Sequence, residues 1–122
     1  MKGIGAEIQR LAQAARCSVT GLRSAFASEA AFRLEVFVSV PLVAFAILFA
    51  DSALELAILL LSLALVWITE LLNTAIEAAV DRIGPESHAL SGKAKDIGSA
   101  AVFIATLIAG LVWLLVLMDG SG

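Results

Sequence analysis

Apolar and polar residues fall along this chain in long blocks. From Ile97 to Met118 there are 22 consecutive residues without a charge. At about 1.5 Å of rise each they cover roughly 33 Å, enough to cross a hydrocarbon core of about 30 Å. Val36 to Ala50 adds 15 uncharged residues, and extending the helix back to Ala30 gives 21. Arg33 and Glu35 then lie near an end where long side chains snorkel, and Pro41 is a candidate kink. Between these blocks, Ala53 to Thr69 is apolar apart from Glu55. Its helical pattern continues through Glu70 and Glu77 to Asp81, before Gly84 and Pro85 stop it. The spacing predicts three membrane-crossing helices over 30–50, 53–81 and 97–118. Ahead of them, Ile4, Ile8, Leu11, Ala15, Val19, Leu22 and Phe26 recur mostly at intervals of three and four, with Arg10, Arg16 and Arg23 interspersed. That predicts an amphipathic interfacial helix over 4–26, either an anchor in one leaflet or a lid over a site at that surface.

Composition agrees with the blocks. Of 122 residues, 61% are hydrophobic and 16% charged, whereas soluble domains run at roughly 45 to 50% and about 25%. The expectation is an all-α membrane protein, one domain over 1–122, with any chemistry on the helix bundle itself. A net charge of −3 lacks the clustered basic excess of a nucleic-acid binder, so no nucleic-acid partner is expected. The single cysteine, Cys17, cannot close an intrachain disulfide. All eight basic residues flank the same ends of the predicted spans: Lys2, Arg10, Arg16, Arg23 and Arg33 before the first, and Arg82, Lys93 and Lys95 between the second and third. By the positive-inside rule the N-terminus is cytoplasmic and the C-terminus faces out. No short apolar segment of the signal-peptide kind follows the first residues, so no cleaved leader is expected.

The carboxylates need a reason. Glu70, Asn73, Glu77 and Asp81 point at about 0°, −60°, −20° and +20° around a helix, so one face carries all four. Counted from Ala53, Glu70 lies roughly 25 Å along, near the cytoplasmic boundary of the core. An ionised carboxylate there costs on the order of 2.5 to 3.5 kcal/mol. Glu29 and the segment Ser91 to Ser99, with Lys93, Lys95 and Asp96, come to the same side. One or two carboxylates with phosphate oxygens and water are how Mg²⁺ is held in nucleotide sites. A further carboxylate can accept the proton of an attacking hydroxyl. A kinase has these parts, and so does an acidic cation or proton path in a transporter. No P-loop and no Gly-rich kinase loop is present, so a nucleotide site would be of another kind. The bland alternatives are a loop role for His88, packing for Trp67, Trp113 and Ser99, and a helix-end pair for Asp81 and Arg82.

The run Glu70-Leu71-Leu72-Asn73-Thr74-Ala75-Ile76-Glu77-Ala78-Ala79-Val80-Asp81, then Arg82-Ile83-Gly84 and Ala94-Lys95-Asp96-Ile97-Gly98-Ser99-Ala100-Ala101-Val102, resembles the signature of the small prokaryotic integral-membrane diacylglycerol kinases. Glu29-Ala30-Ala31-Phe32-Arg33 and Gly21-Leu22-Arg23 fit as well, and the resemblance runs essentially the whole chain. It implies a homotrimer, with sites shared between subunits, at the cytoplasmic face of a bacterial inner membrane among bilayer lipids. There it would transfer the γ-phosphoryl of MgATP to diacylglycerol, giving phosphatidic acid and ADP. Glu70 would be the general base, and Glu29 and Glu77 would hold Mg²⁺. The ATP site would comprise Arg10, Cys17, Glu29, Asn73, Glu77, Glu86, Ser87, His88, Lys95 and Asp96. The lipid would meet Arg10, Arg23, Ala31, Phe32, Arg33, Glu70, Ser99 and Trp113. Cys17 and Val19 stand where aromatic residues are expected on the surface helix of enterobacterial members, and Leu34 where a Gln is common. Undecaprenol kinases share the acidic motif and are the alternative within the family; the rival from another class is the cation or proton transporter.

Overall fold

A computed structural model describes residues 2–84 and 88–120 of the chain. Four helices follow one another: α1 (Lys2–Ser28), α2 (Ala30–Phe49), α3 (Ala53–Ile83) and α4 (Ala89–Gly120). The last three are long and apolar enough to cross a membrane. α3 packs most extensively on α4 and next on α2, while α1 touches α2 at its end. The chain therefore has two ends. At one, α2 turns into α3 through Asp51 and Ser52. At the other, the C-terminus of α1, the start of α2, the end of α3 and the start of α4 come together.

Local chemistry explains the boundaries. α1 and α2 are separated by one extended residue, Glu29, with φ −114° and ψ 109°. The Arg33 side chain reaches back across this corner and donates from Nη1 to the carbonyls of Phe26 (2.8 Å) and Ala27 (2.9 Å). Those are orphan acceptors at a helix C-terminus, where a cation is also favoured by the macrodipole. Ser52 opens α3: its Oγ accepts the N–H of Glu55 at 3.1 Å, and Glu55 Oε2 accepts the N–H of Asp51 at 3.1 Å, a reciprocal arrangement close to a capping box. α4 begins two turns earlier than the uncharged run at Ile97. His88 Nδ1 accepts the N–H of Leu90 at 3.0 Å and starts the helix there, and Ala, Leu and Lys sustain it despite its charges. α2 runs on through Pro41.

The packed stripes are narrow. α2 buries Phe32, Ser39 and Ala46, and α3 buries Leu59, Ser62, Val66 and Glu70. α4 contributes Gly98, Ala105 and Ala109, small residues that let two helix backbones approach closely. Two tryptophans tie neighbouring helices. Trp67 donates its indole N–H to Ser39 Oγ at 2.8 Å, and Trp113 donates to Ser62 Oγ at 3.1 Å. Each serine hydroxyl passes its own proton to a helix carbonyl, Glu35 O and Leu59 O, both at 2.7 Å. Outside these stripes the surface is apolar. Leu48, Leu54 and Leu61 are at least 70% exposed, which suits a hydrocarbon surrounding and not water.

Candidate active site

The stripe that α3 buries changes character at Glu70. Leu59, Ser62 and Val66 continue at helical spacing into Glu70, Asn73 and Glu77, so residues that a packed apolar face would hold are replaced by two acids and an amide. Glu70 is 8% exposed. The carboxylates of Glu35, Glu77 and Glu29 all act on it electrostatically, Glu35 most strongly. One chain thus gathers four acids from two helices and the corner between α1 and α2. Glu29 reaches this group because its backbone forms the corner, while its side chain makes no capping bond to α2.

Glu35 is the residue that spacing missed. It stands three residues after buried Phe32 and four before buried Ser39, on the face of α2 that packs against α3. That spacing was the available signal, and a polar residue at the end of an apolar block is as readily taken for a snorkelling one.

Asn73 and Glu77 form a unit. Asn73 Nδ2 donates to Glu77 Oε1 at 3.2 Å, and both side chains are half-buried. Asn73 Oδ1 is buried with no hydrogen-bond partner among the described residues. One turn on, Asp81 leaves the bundle and pairs across to α4, with Lys95 Nζ at 2.6 Å from its Oδ1. This ion pair stands where Asp81 and Arg82 are the sequence neighbours, so Asp81 links two helices. Asp96 and Ser99 lie on the exposed side of α4.

The remaining predicted contacts are spread along the chain. Arg10 is exposed on α1 and pairs with Glu7. Cys17 is exposed and lines a shallow groove on α1 with Gln13, Arg16, Thr20, Gly21 and Ser24. Arg23 and Ala31 are exposed. Phe32 is 2% exposed and meets Trp67 edge to face, with ring centroids 5.6 Å apart. Arg33 caps α1, His88 caps α4, and Trp113 is bonded to Ser62, well away from Glu70 along α3. Glu86 and Ser87 lie outside the described residues. A groove of about 550 Å³ separates Ser18, Leu22 and Ala25 of α1 from Leu71, Thr74 and Ala78 of α3, on the flank of the acidic face.

The donor set can be tested against Mg²⁺. Among the described residues no three acidic, His or Cys side chains close on one point as a cation cage. What is present is a set of carboxylates acting on Glu70, one of which, Glu77, is held by the amide N–H of Asn73. These hard donors fit an ion that takes one or two carboxylates and completes its shell with phosphate oxygens and water.

Comparison with known proteins adds an independent line. The family described as Prokaryotic diacylglycerol kinase matches residues 16–117. A protein named diacylglycerol kinase from Escherichia coli (strain K12) is 47% identical over 113 residues, 93% of each chain. One of the same name from Haemophilus influenzae is 45% identical over 106 residues, covering 87% of this chain and 90% of its own. A third, from Pseudomonas aeruginosa, is 42% identical over 111 residues, 91% of this chain and 90% of its own.

Proposed function

The chain belongs to the prokaryotic diacylglycerol kinase family, and we infer from that premise, together with its buried Glu70, how it works. It is an ATP-dependent lipid kinase that phosphorylates 1,2-diacylglycerol, giving phosphatidic acid and ADP. The observation that carries the mechanism is Glu70, nearly closed off from solvent on the packed face of α3 and surrounded by further carboxylates.

In this reading Glu70 accepts the proton of the diacylglycerol hydroxyl as its oxygen attacks the γ-phosphorus of ATP. The new O–P bond forms as the bond to the ADP oxygen breaks, and ADP leaves with its negative charge. Glu29 and Glu77 would hold Mg²⁺, which when bound would supply neutralisation of charge on the phosphates. Asn73 keeps Glu77 oriented through its amide N–H. Lys95, at the start of α4 and already facing Asp81, brings a cation to the phosphates. The groove between α1 and α3 takes the acyl chains, so the hydroxyl is presented beside Glu70 while the chains stay in an apolar lining. Diacylglycerol keeps those chains in the bilayer, so the reaction belongs at a membrane boundary. ATP then arrives from the cytoplasm, a placement of the acidic end that the distribution of Lys and Arg supports. α1, with its apolar period and interspersed arginines, lies along that surface. The exposed apolar faces of the other helices are covered by lipid and by two further copies, in a trimer whose neighbouring subunits complete each site.

The test is transfer of label from γ-labelled ATP into lipid in mixed micelles containing Mg²⁺ and diacylglycerol. Label in phosphatidic acid is expected. Folded protein that labels undecaprenol and not diacylglycerol would contradict the assigned acceptor.

A further inference from the structure

Gly98 is buried on α4 against the acidic face of α3. A Cβ built on it would collide with Asn73 Oδ1 and lie 3.3 Å from Asn73 Cγ; the next atom, Ile76 Cδ1, is 3.8 Å away, an ordinary contact. The obstacle is therefore the Asn73 carboxamide and nothing else nearby. The hydrogen that Gly98 carries in place of a side chain faces Asn73 Oδ1, a buried oxygen without a hydrogen-bond partner among the described residues. The other end of that carboxamide donates to Glu77. A glycine inside a helix is less favourable than alanine, so its presence in a close-packed stretch calls for a local reason.

We propose that Gly98 is a positioning residue: its missing side chain seats the Asn73 carboxamide with the oxygen over α4 and the nitrogen turned onto Glu77. This rests on the assignment of Glu77 to the Mg·ATP site. An alanine methyl at 98 pushes the carboxamide away, breaks the bond to Glu77 and frees that carboxylate to rotate. Gly110, on the same helix, has nothing among the described residues within 4 Å of its would-be Cβ and serves as the control.

The experiment compares wild type with Gly98→Ala, Asn73→Ala, the double variant and Gly110→Ala, as full-length protein in mixed micelles. Two quantities are read: the Kd of a non-hydrolysable ATP analogue with Mg²⁺, and the melting temperature without nucleotide. Gly98→Ala is expected to weaken analogue binding about tenfold, the effect of one lost hydrogen bond to a charged group, and to lower the melting temperature. In the Asn73→Ala background, where the space is open, Gly98→Ala should neither weaken binding nor lower the melting temperature further. Gly110→Ala should bind the analogue as wild type does and melt no lower than wild type, since alanine favours the helix. Additive effects of the two substitutions on melting temperature would overturn the proposal. If Gly98→Ala does not fold, the double variant must fold, and its failure to do so would overturn the proposal too. Should Glu77→Gln leave Mg·analogue affinity untouched, the Mg·ATP assignment fails, while the non-additivity in melting temperature still decides the seat of Asn73.

Discussion

Trp67 donates its indole N–H to Ser39 Oγ at 2.8 Å, tying α3 to α2 about one turn from Glu70. Ser39 in turn donates to the carbonyl of Glu35, so the bond that joins the helices also ends on the residue whose carboxylate acts most strongly on Glu70. Replacing Ser39 by Ala leaves the buried side of the indole without its acceptor. We expect a loss of about 1 to 3 kcal/mol in stability. Titration with a denaturing detergent measures it, and an unchanged midpoint would show that the bond does not hold the helices.

The Asp81–Lys95 pair spans α3 and α4 at 2.6 Å, with side chains 65% and 42% exposed. Exposed pairs add little to stability. Lys95→Met should therefore leave the melting temperature where it is while raising KM for ATP at least tenfold. A variant that melts early with normal KM would make Lys95 a structural residue.

Arg33 closes the corner that carries Glu29, through bonds to the carbonyls of Phe26 and Ala27. Arg33→Ala should fray the end of α1, seen as faster amide hydrogen exchange over 26–30, and lower kcat through a displaced Glu29. Unaltered exchange in that stretch would contradict the capping role.

Glu77→Gln keeps the size of the side chain and removes one anionic oxygen donor for Mg²⁺. The Mg²⁺ concentration for half-maximal activity is expected to rise about tenfold or more, and an unmoved Mg²⁺ dependence would count against a metal role.

Much of this was readable in the chain. Uncharged runs and the stop at Gly84 locate the helices because a membrane-length helix imposes both length and apolarity on its residues. The row Glu70, Asn73, Glu77 and Asp81 is visible because all four share one face of a single helix. What spacing could not supply are relations between helices. Glu35 looked like an end residue of an apolar block until α2 turned that face to α3. Gly98 looked like one more small residue until α4 brought it over Asn73. The helix-end bonds of Arg33 and His88 also escaped, because each depends on where the chain turns between two helices. The early start of α4 escaped because its first two turns carry charges, and a helix needs no apolar run where it leaves the hydrocarbon.

The central claim is that Glu70 takes the proton of the lipid hydroxyl, and the most direct measurement is kcat for labelled phosphatidic acid formation by Glu70→Gln. The glutamine keeps the shape of the side chain and cannot act as the base. A fall of about 10² to 10⁴-fold in kcat is expected, with the melting temperature and the Kd of a Mg·ATP analogue close to wild type. A kcat near that of the wild type in the folded variant would contradict it.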